Sequence, residues 1–224
     1  MRIDAIAWDI DGTLIDSEPL HHQALLDASA SFGVDLKDLP PLAFRGVHMD
    51  EVWSSLRDRF PATLARAEWL DGIERRYIAC ADRLRSAEGA KKAIELLHRE
   101  GFPQVCVSNS SRRIVDANLR ALGVLPCLRF SISLDDVAHG KPDPEPYAVA
   151  AARLGIEPPR LLAVEDSASG VCSARSAGLL TAAIGNTSEL EADWLINSVM
   201  EVADIVLARA RPLPAATART GGSS

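Results

Sequence analysis

Several short apolar runs in this chain each stop at a polar or acidic cluster. Ile3 to Ile10 (IDAIAWDI) runs into Asp9, Asp11 and Gly12, Val105 to Ser108 into Asn109, and Leu161 to Val164 into Glu165 and Asp166. Runs of this length, apolar on both alternating faces, read as strands buried on both sides. Arg129 to Ser133 and Leu180 to Ile184 read the same way, and Ala203 to Val206 is a further strand candidate. Between them lie helix-period stretches at Lys91 to Glu100, Ile114 to Leu122, Pro144 to Leu154 and Ser169 to Ala177. The last three are followed by Gly123, Gly155 and Gly178, where a left-handed helix terminus favours glycine. Strands alternating with helices predict a parallel sheet covered on both faces, with the carboxyl ends of its strands as the place for a site.

Residues 17–85 interrupt this alternation with helix-like periodicity alone. Leu20, Ala24, Ala28 and Phe32 make one stripe, Met49, Val52, Trp53, Leu56 and Phe60 a second, and Trp69, Ile73, Tyr77, Ala81 and Leu84 a third. The expected organisation is an α/β core at 1–16 and 86–208, a helical cap inserted at 17–85, and a disordered tail at 209–224, where Ala, Pro, Thr, Gly and Ser dominate. At 224 residues the chain is long enough for one core and one insertion. A formal net charge of −7 disfavours nucleic acid as a partner. No apolar run is long enough to span a bilayer and no signal peptide is evident. Cys80, Cys106, Cys127 and Cys172 are widely spaced within apolar stretches and read as small buried residues, not as a disulfide framework or zinc site. A cytoplasmic location is the expectation that follows.

Asp9-Ile10-Asp11-Gly12 places two carboxylates at i and i+2 where a buried strand ends, and a helix cap explains one of them at best. Gly12 directly after the second acid excludes an EF-hand loop. The physical reading of the pair is a magnesium site in which one carboxylate also attacks phosphorus, a known use of Asp in covalent catalysis. Ser108 and Asn109 stand where a phosphate could be gripped, although capping the next helix explains them equally well in isolation. Lys141 lies in Gly140-Lys141-Pro142-Asp143-Pro144, a stiff loop that is no P-loop, because Pro142 stands where a magnesium-binding hydroxyl belongs. Glu165 and Asp166 bring two more acids to a strand end.

In order along the chain, Asp9/Asp11, Ser108, Lys141 and Glu165/Asp166 resemble the four motifs of the haloacid dehalogenase superfamily, over a span reaching to about Ile184. The resemblance implies a doubly wound, Rossmann-like parallel sheet. The insertion point is similar to that of the helical-cap subclass, which includes β-phosphoglucomutase and bacterial sugar-phosphate and phosphogluconate phosphatases. Carried over, Asp9 attacks phosphorus to form an aspartyl-phosphate. Asp11 protonates the leaving oxygen and then activates water. Mg2+ is held by Asp9, Asp11 through its backbone carbonyl, Glu165 and Asp166. Ser108, Asn109 and Lys141 bind and stabilise the phosphoryl group.

Asp11 favours phosphate over halide displacement, since dehalogenases of the superfamily have no leaving alcohol to protonate. Phosphonate cleavage is disfavoured, because it uses a cap lysine and Lys37 is the one lysine between Ser17 and Arg85. Arg45 and Gly46 resemble the cap's substrate loop, and His21 resembles a histidine near the mutases' cap hinge. Met49 stands where those mutases carry a phosphate-gripping arginine, which favours water as acceptor. The expectation is therefore a phosphomonoesterase acting on a small phosphate ester. A β-phosphoglucomutase-type isomerase is the alternative, and a catalytically silent binding module a third reading. A monomer is the working expectation, with oligomers left open.

Overall fold

A computed structural model describes residues 1–40, 43–44, 47, 49–185 and 191–209. The chain begins β1 (Ala5–Trp8), β2 (Ile15–Asp16), α1 (Glu18–Ser31), α2 (Met49–Leu56), α3 (Arg66–Ala79) and β3 (Arg85–Ser86). It continues α4 (Ala90–Arg99), β4 (Gln104–Val107), α5 (Arg112–Leu122), β5 (Phe130–Ile132), α6 (Glu145–Leu154) and β6 (Leu161–Glu165). It closes α7 (Ala168–Ser176), β7 (Leu180–Ile184), β8 (Trp194–Ile196) and α8 (Met200–Leu207). Six strands form one parallel sheet in the order β5-β4-β1-β6-β7-β8. The order reverses at β1, so the crevice beyond its carboxyl end is the topological switch point.

Both faces of the sheet are covered, and the period of two sorts the strand residues between them. Ile6, Trp8, Cys106, Leu162 and Val164 face a core that includes Ile94, Leu97, Leu119 and Val202. Ala5, Ala7, Val105, Val107, Leu161 and Ala163 face the opposite core, with Tyr147, Ala150 and Ala174.

Residues 203–206 correct one expectation, for they lie inside α8 and form no strand. Val199, Val202, Ala203 and Val206 are all buried, and spacings of three, one and three describe a helical stripe, which outweighs the β-propensity of valine. The sixth strand is instead Trp194–Ile196, too short to announce itself. The cysteines are corrected as well. All four are free, but Cys106 alone is buried, Cys80 and Cys127 are half-buried and Cys172 is exposed on α7. Among the described residues no helix is long and apolar enough to cross a membrane. Residues 210–224, most of the expected tail, lie outside the described part.

Helices α1, α2 and α3 have their own apolar core, built on Leu25, Ala28, Val52, Leu56, Phe60, Trp69 and Tyr77. They enter and leave the α/β unit through a two-stranded antiparallel ribbon in which Ile15 pairs with Ser86 and Asp16 with Arg85. Met49 packs on the helical core. Trp69 sits at its centre, fully buried, with ring centroids 5.2 Å from Trp53 and 5.9 Å from Phe60, and its Nε1 donates to Ser29 Oγ at 3.3 Å. Trp69→Ala is expected to destabilise this unit by about 3–5 kcal/mol, lowering the melting temperature on the order of 10 °C in a thermal-unfolding scan.

Candidate active site

Register brings the site together. Trp8 pairs with both Cys106 and Val164, so the three central strands end level, and Asp9 N donates to Val164 O at 2.9 Å. Continuing the alternation, Asp9 and Glu165 project on the face where α6 packs. Lys141, in the loop before α6, reaches between them. Its Nζ donates to Asp9 Oδ1 at 2.7 Å and to Val107 O at 2.8 Å, and lies 2.6 Å from Glu165 Oε1. These three partners match the three donors of an ammonium group, at a side chain only 3% exposed. Burial works against the charge of Lys141, but Asp9 and Glu165 outweigh it and hold the ammonium above its usual range.

Tyr147 of α6 donates its hydroxyl to Glu165 Oε1 and lies with its ring centroid 5.3 Å from Lys141 Nζ. Gly170 abuts Glu165, where an added Cβ would fall 1.9 Å from Oε2. Glu165 is thus fully buried, with Oε1 held by Lys141 and Tyr147 and the carboxylate packed on Gly170. Gly12, at φ +89°, makes a second close approach, since a Cβ there would fall 2.0 Å from Asp166 Oδ2.

Asp9, Glu165 and Asp166 offer oxygens that all lie within 4.8 Å of one another. Burial raises the pKa of Asp9, and Lys141 offsets it only in part. Burial and then the charge of Asp9 push Glu165 and Asp166 each up to about 7. Asp9 Oδ2 is buried and accepts no hydrogen bond from the described residues. Three crowded carboxylates, one shared lysine and an oxygen without a partner among the described residues make a site short of positive charge, with the hard oxygen donors that suit a divalent cation.

Asp11 is held differently. Its Oδ2 accepts from Ser110 Oγ at 2.9 Å and Ser108 Oγ at 3.2 Å, its Oδ1 accepts from Asn118 Nδ2 at 3.0 Å, and His21 Nε2 stands 3.7 Å from Oδ1. Burial opposes its charge, yet His21 beside it and the Ser17 and Ser110 hydroxyls prevail and lower it to about 2.

The sequence singled out Asp9, Asp11, Ser108, Lys141 and Asp166, and all of them line one cleft of about 490 Å³, with His21 on its α1 wall. Glu165 stands behind this group. Two roles change in detail. Asn109 uses both ends of its side chain on Lys141, donating Nδ2 to Lys141 O at 2.9 Å and accepting from Lys141 N at 2.8 Å. Its side-chain amide therefore fixes the lysine loop, while Asn109 lines the same cleft. The Ser108 hydroxyl is turned to Asp11. Arg45 and Gly46 lie outside the described residues. Ser110, Asn118 and Tyr147 were not foreseen. Asn118 carried a signal, a polar residue on the buried stripe Val115, Asn118, Leu119 and Leu122.

The family model for haloacid dehalogenase-like hydrolases matches residues 3–178, from β1 through α7 and every one of these acids. The chain belongs to that family. Among relatives of this hydrolase, the validoxylamine A 7′-phosphate phosphatase of Streptomyces hygroscopicus subsp. limoneus is 31% identical, over 87% of this chain and 93% of the relative. The N-acetylmuramic acid 6-phosphate phosphatase of Pseudomonas aeruginosa is 28% identical over 92% of this chain and 96% of its own. CbbY from Rhodobacter sphaeroides, solved in complex with phosphate, superposes with a TM-score of 0.81 at 28% identity, covering 89% of this chain and 96% of that one.

Proposed function

We propose that this hydrolase is a magnesium-dependent phosphatase for small phosphomonoesters, sugar phosphates foremost, working through an aspartyl-phosphate on Asp9. The observation that carries this reading is the state of the Asp9 carboxylate. One oxygen is pinned by a buried lysine, the other accepts no hydrogen bond from the described residues, and Asp9 itself lines the cleft. An oxygen that is neither solvated nor hydrogen-bonded is a strong nucleophile, and the lysine fixes the direction from which it attacks.

Asp9 Oδ2 forms the bond to phosphorus as the ester bond to the alcohol oxygen breaks. Asp11, which takes up a proton as the ester binds, gives it to that oxygen and, left as a carboxylate, takes one from the water that cleaves the aspartyl-phosphate and frees phosphate. A phosphate entering the cleft competes for the Ser108 and Ser110 hydroxyls. Withdrawing them from Asp11 removes donors that favour its ionised form, which raises its proton affinity when an acid is needed. Lys141 offsets charge on Asp9 and on the transferring group throughout. Asp9, Asp166, Glu165 and the backbone carbonyl of Asp11 would hold Mg2+. When bound, the ion neutralises phosphoryl oxygens and orients the ester.

Helices α1 to α3 serve in this reading as a cap at residues 17–85 that closes over the cleft through the β2–β3 ribbon, with Arg45 and Gly46 as substrate contacts. The phosphatase names of the relatives support water as acceptor. Phosphate release should be measured over sugar phosphates, phosphogluconate, nucleotides and phosphoglycolate. Turnover is expected on a sugar phosphate, falling at least about 10²-fold after chelation with EDTA and returning on addition of Mg2+. Full activity in the chelated enzyme would contradict the reading.

A further inference from the structure

Among the described residues Asp11 is linked to α3 of the helical unit through two residues that the mechanism above does not use. Tyr77 of α3 donates its hydroxyl to Asn118 Oδ1 at 2.8 Å, and Asn118 of α5 donates Nδ2 to Asp11 Oδ1 at 3.0 Å. Both side chains are buried. A carboxylate only accepts, so the amide nitrogen must face Asp11 and the amide oxygen must face Tyr77. His21 of α1 stacks on Tyr77, with ring centroids 4.2 Å apart, and completes the wall on that side. The chain of contacts therefore crosses the seam between α3 and α5, where Ile114 also packs into the helical core.

We propose that Tyr77 and Asn118 are positioning residues for Asp11, which hold its carboxylate in a single orientation while α3 is packed against α5. The inference rests on the reading of Asp11 as the acid that protonates the leaving oxygen. Asn118 sets the rotamer of Asp11. Tyr77 keeps the Asn118 amide from turning over, which would set an oxygen against the carboxylate. The arrangement makes the acid complete only when the cap helix is docked on the core.

Leaving-group dependence separates positioning from simple structural support. Protonation matters for an alkoxide and little for nitrophenolate, and kcat/KM reports the step in which the ester bond breaks. kcat/KM should be measured on β-glycerol phosphate and p-nitrophenyl phosphate for Asn118→Ala, Tyr77→Phe and Asp11→Asn, with a melting temperature for each. Asn118→Ala is expected to lose at least about tenfold more on the glycerol ester than on the nitrophenyl ester, as a fraction of what a general acid supplies. Tyr77→Phe, which removes only a hydroxyl, should move the same ratio in the same direction by a few-fold. Equal losses on both esters from Asn118→Ala and Tyr77→Phe, while Asp11→Asn discriminates between them, would overturn the positioning role and leave Asp11 as the acid. No discrimination by Asp11→Asn would overturn both.

Discussion

Asp9→Asn is expected to lower kcat/KM at least about 10⁴-fold while leaving the protein folded, because it removes the nucleophile and almost no volume. The amide retains an oxygen for Lys141 Nζ, which now bonds Asp9 Oδ1 at 2.7 Å. The melting temperature should hold or rise. Burial and the neighbouring acids disfavour the ionised carboxylate, so a neutral side chain relieves repulsion with Glu165 and Asp166. Phosphate release and a thermal scan on the purified variant check both halves. Wild-type turnover from it would remove Asp9 from the chemistry.

Lys141→Ala is expected to reduce kcat by about 10²–10³-fold, the scale for losing a preorganised charge at a transferring group. Unlike Asp9→Asn, it should also destabilise the fold. Lys141 is the shared counter-charge of Asp9 and Glu165, and its removal leaves both acids buried with no cation between them. Breaking such a pair costs about 3–5 kcal/mol. Added Mg2+ should recover part of the stability, since it supplies charge to the same carboxylates, and should recover little of the rate. Lys141→Arg is not expected to rescue, because a planar guanidinium does not fit a pocket built around three acceptors converging on one atom. Melting curves with and without Mg2+ separate the two effects.

The acids were legible because they come in pairs at the ends of apolar strands, where a helix cap accounts for one of each pair at best. Register then did the rest, for level strand ends at Trp8, Cys106 and Val164 bring Asp9 and Glu165 onto one face. Roles that depend on side-chain direction were not legible. Whether Asn109 turns to a ligand or to the backbone of Lys141 is decided by a loop some thirty residues away, where Gly140 leaves room for its oxygen. Residues 203–206 misled because so short a stretch cannot display a period, whereas the burial of Val199, Val202, Ala203 and Val206 shows the helical one. Asn118 announced only that something buried needed a partner. Its partners lie 41 and 107 residues away.

The central claim is that phosphorus is attacked first by a carboxylate and only afterwards by water. The stereochemical course at phosphorus tests it most directly. A phosphorothioate monoester made chiral by oxygen isotopes, hydrolysed in water of a third isotope, should give thiophosphate with net retention, because two in-line displacements each invert. Net inversion would mean a single displacement by water and would contradict the account.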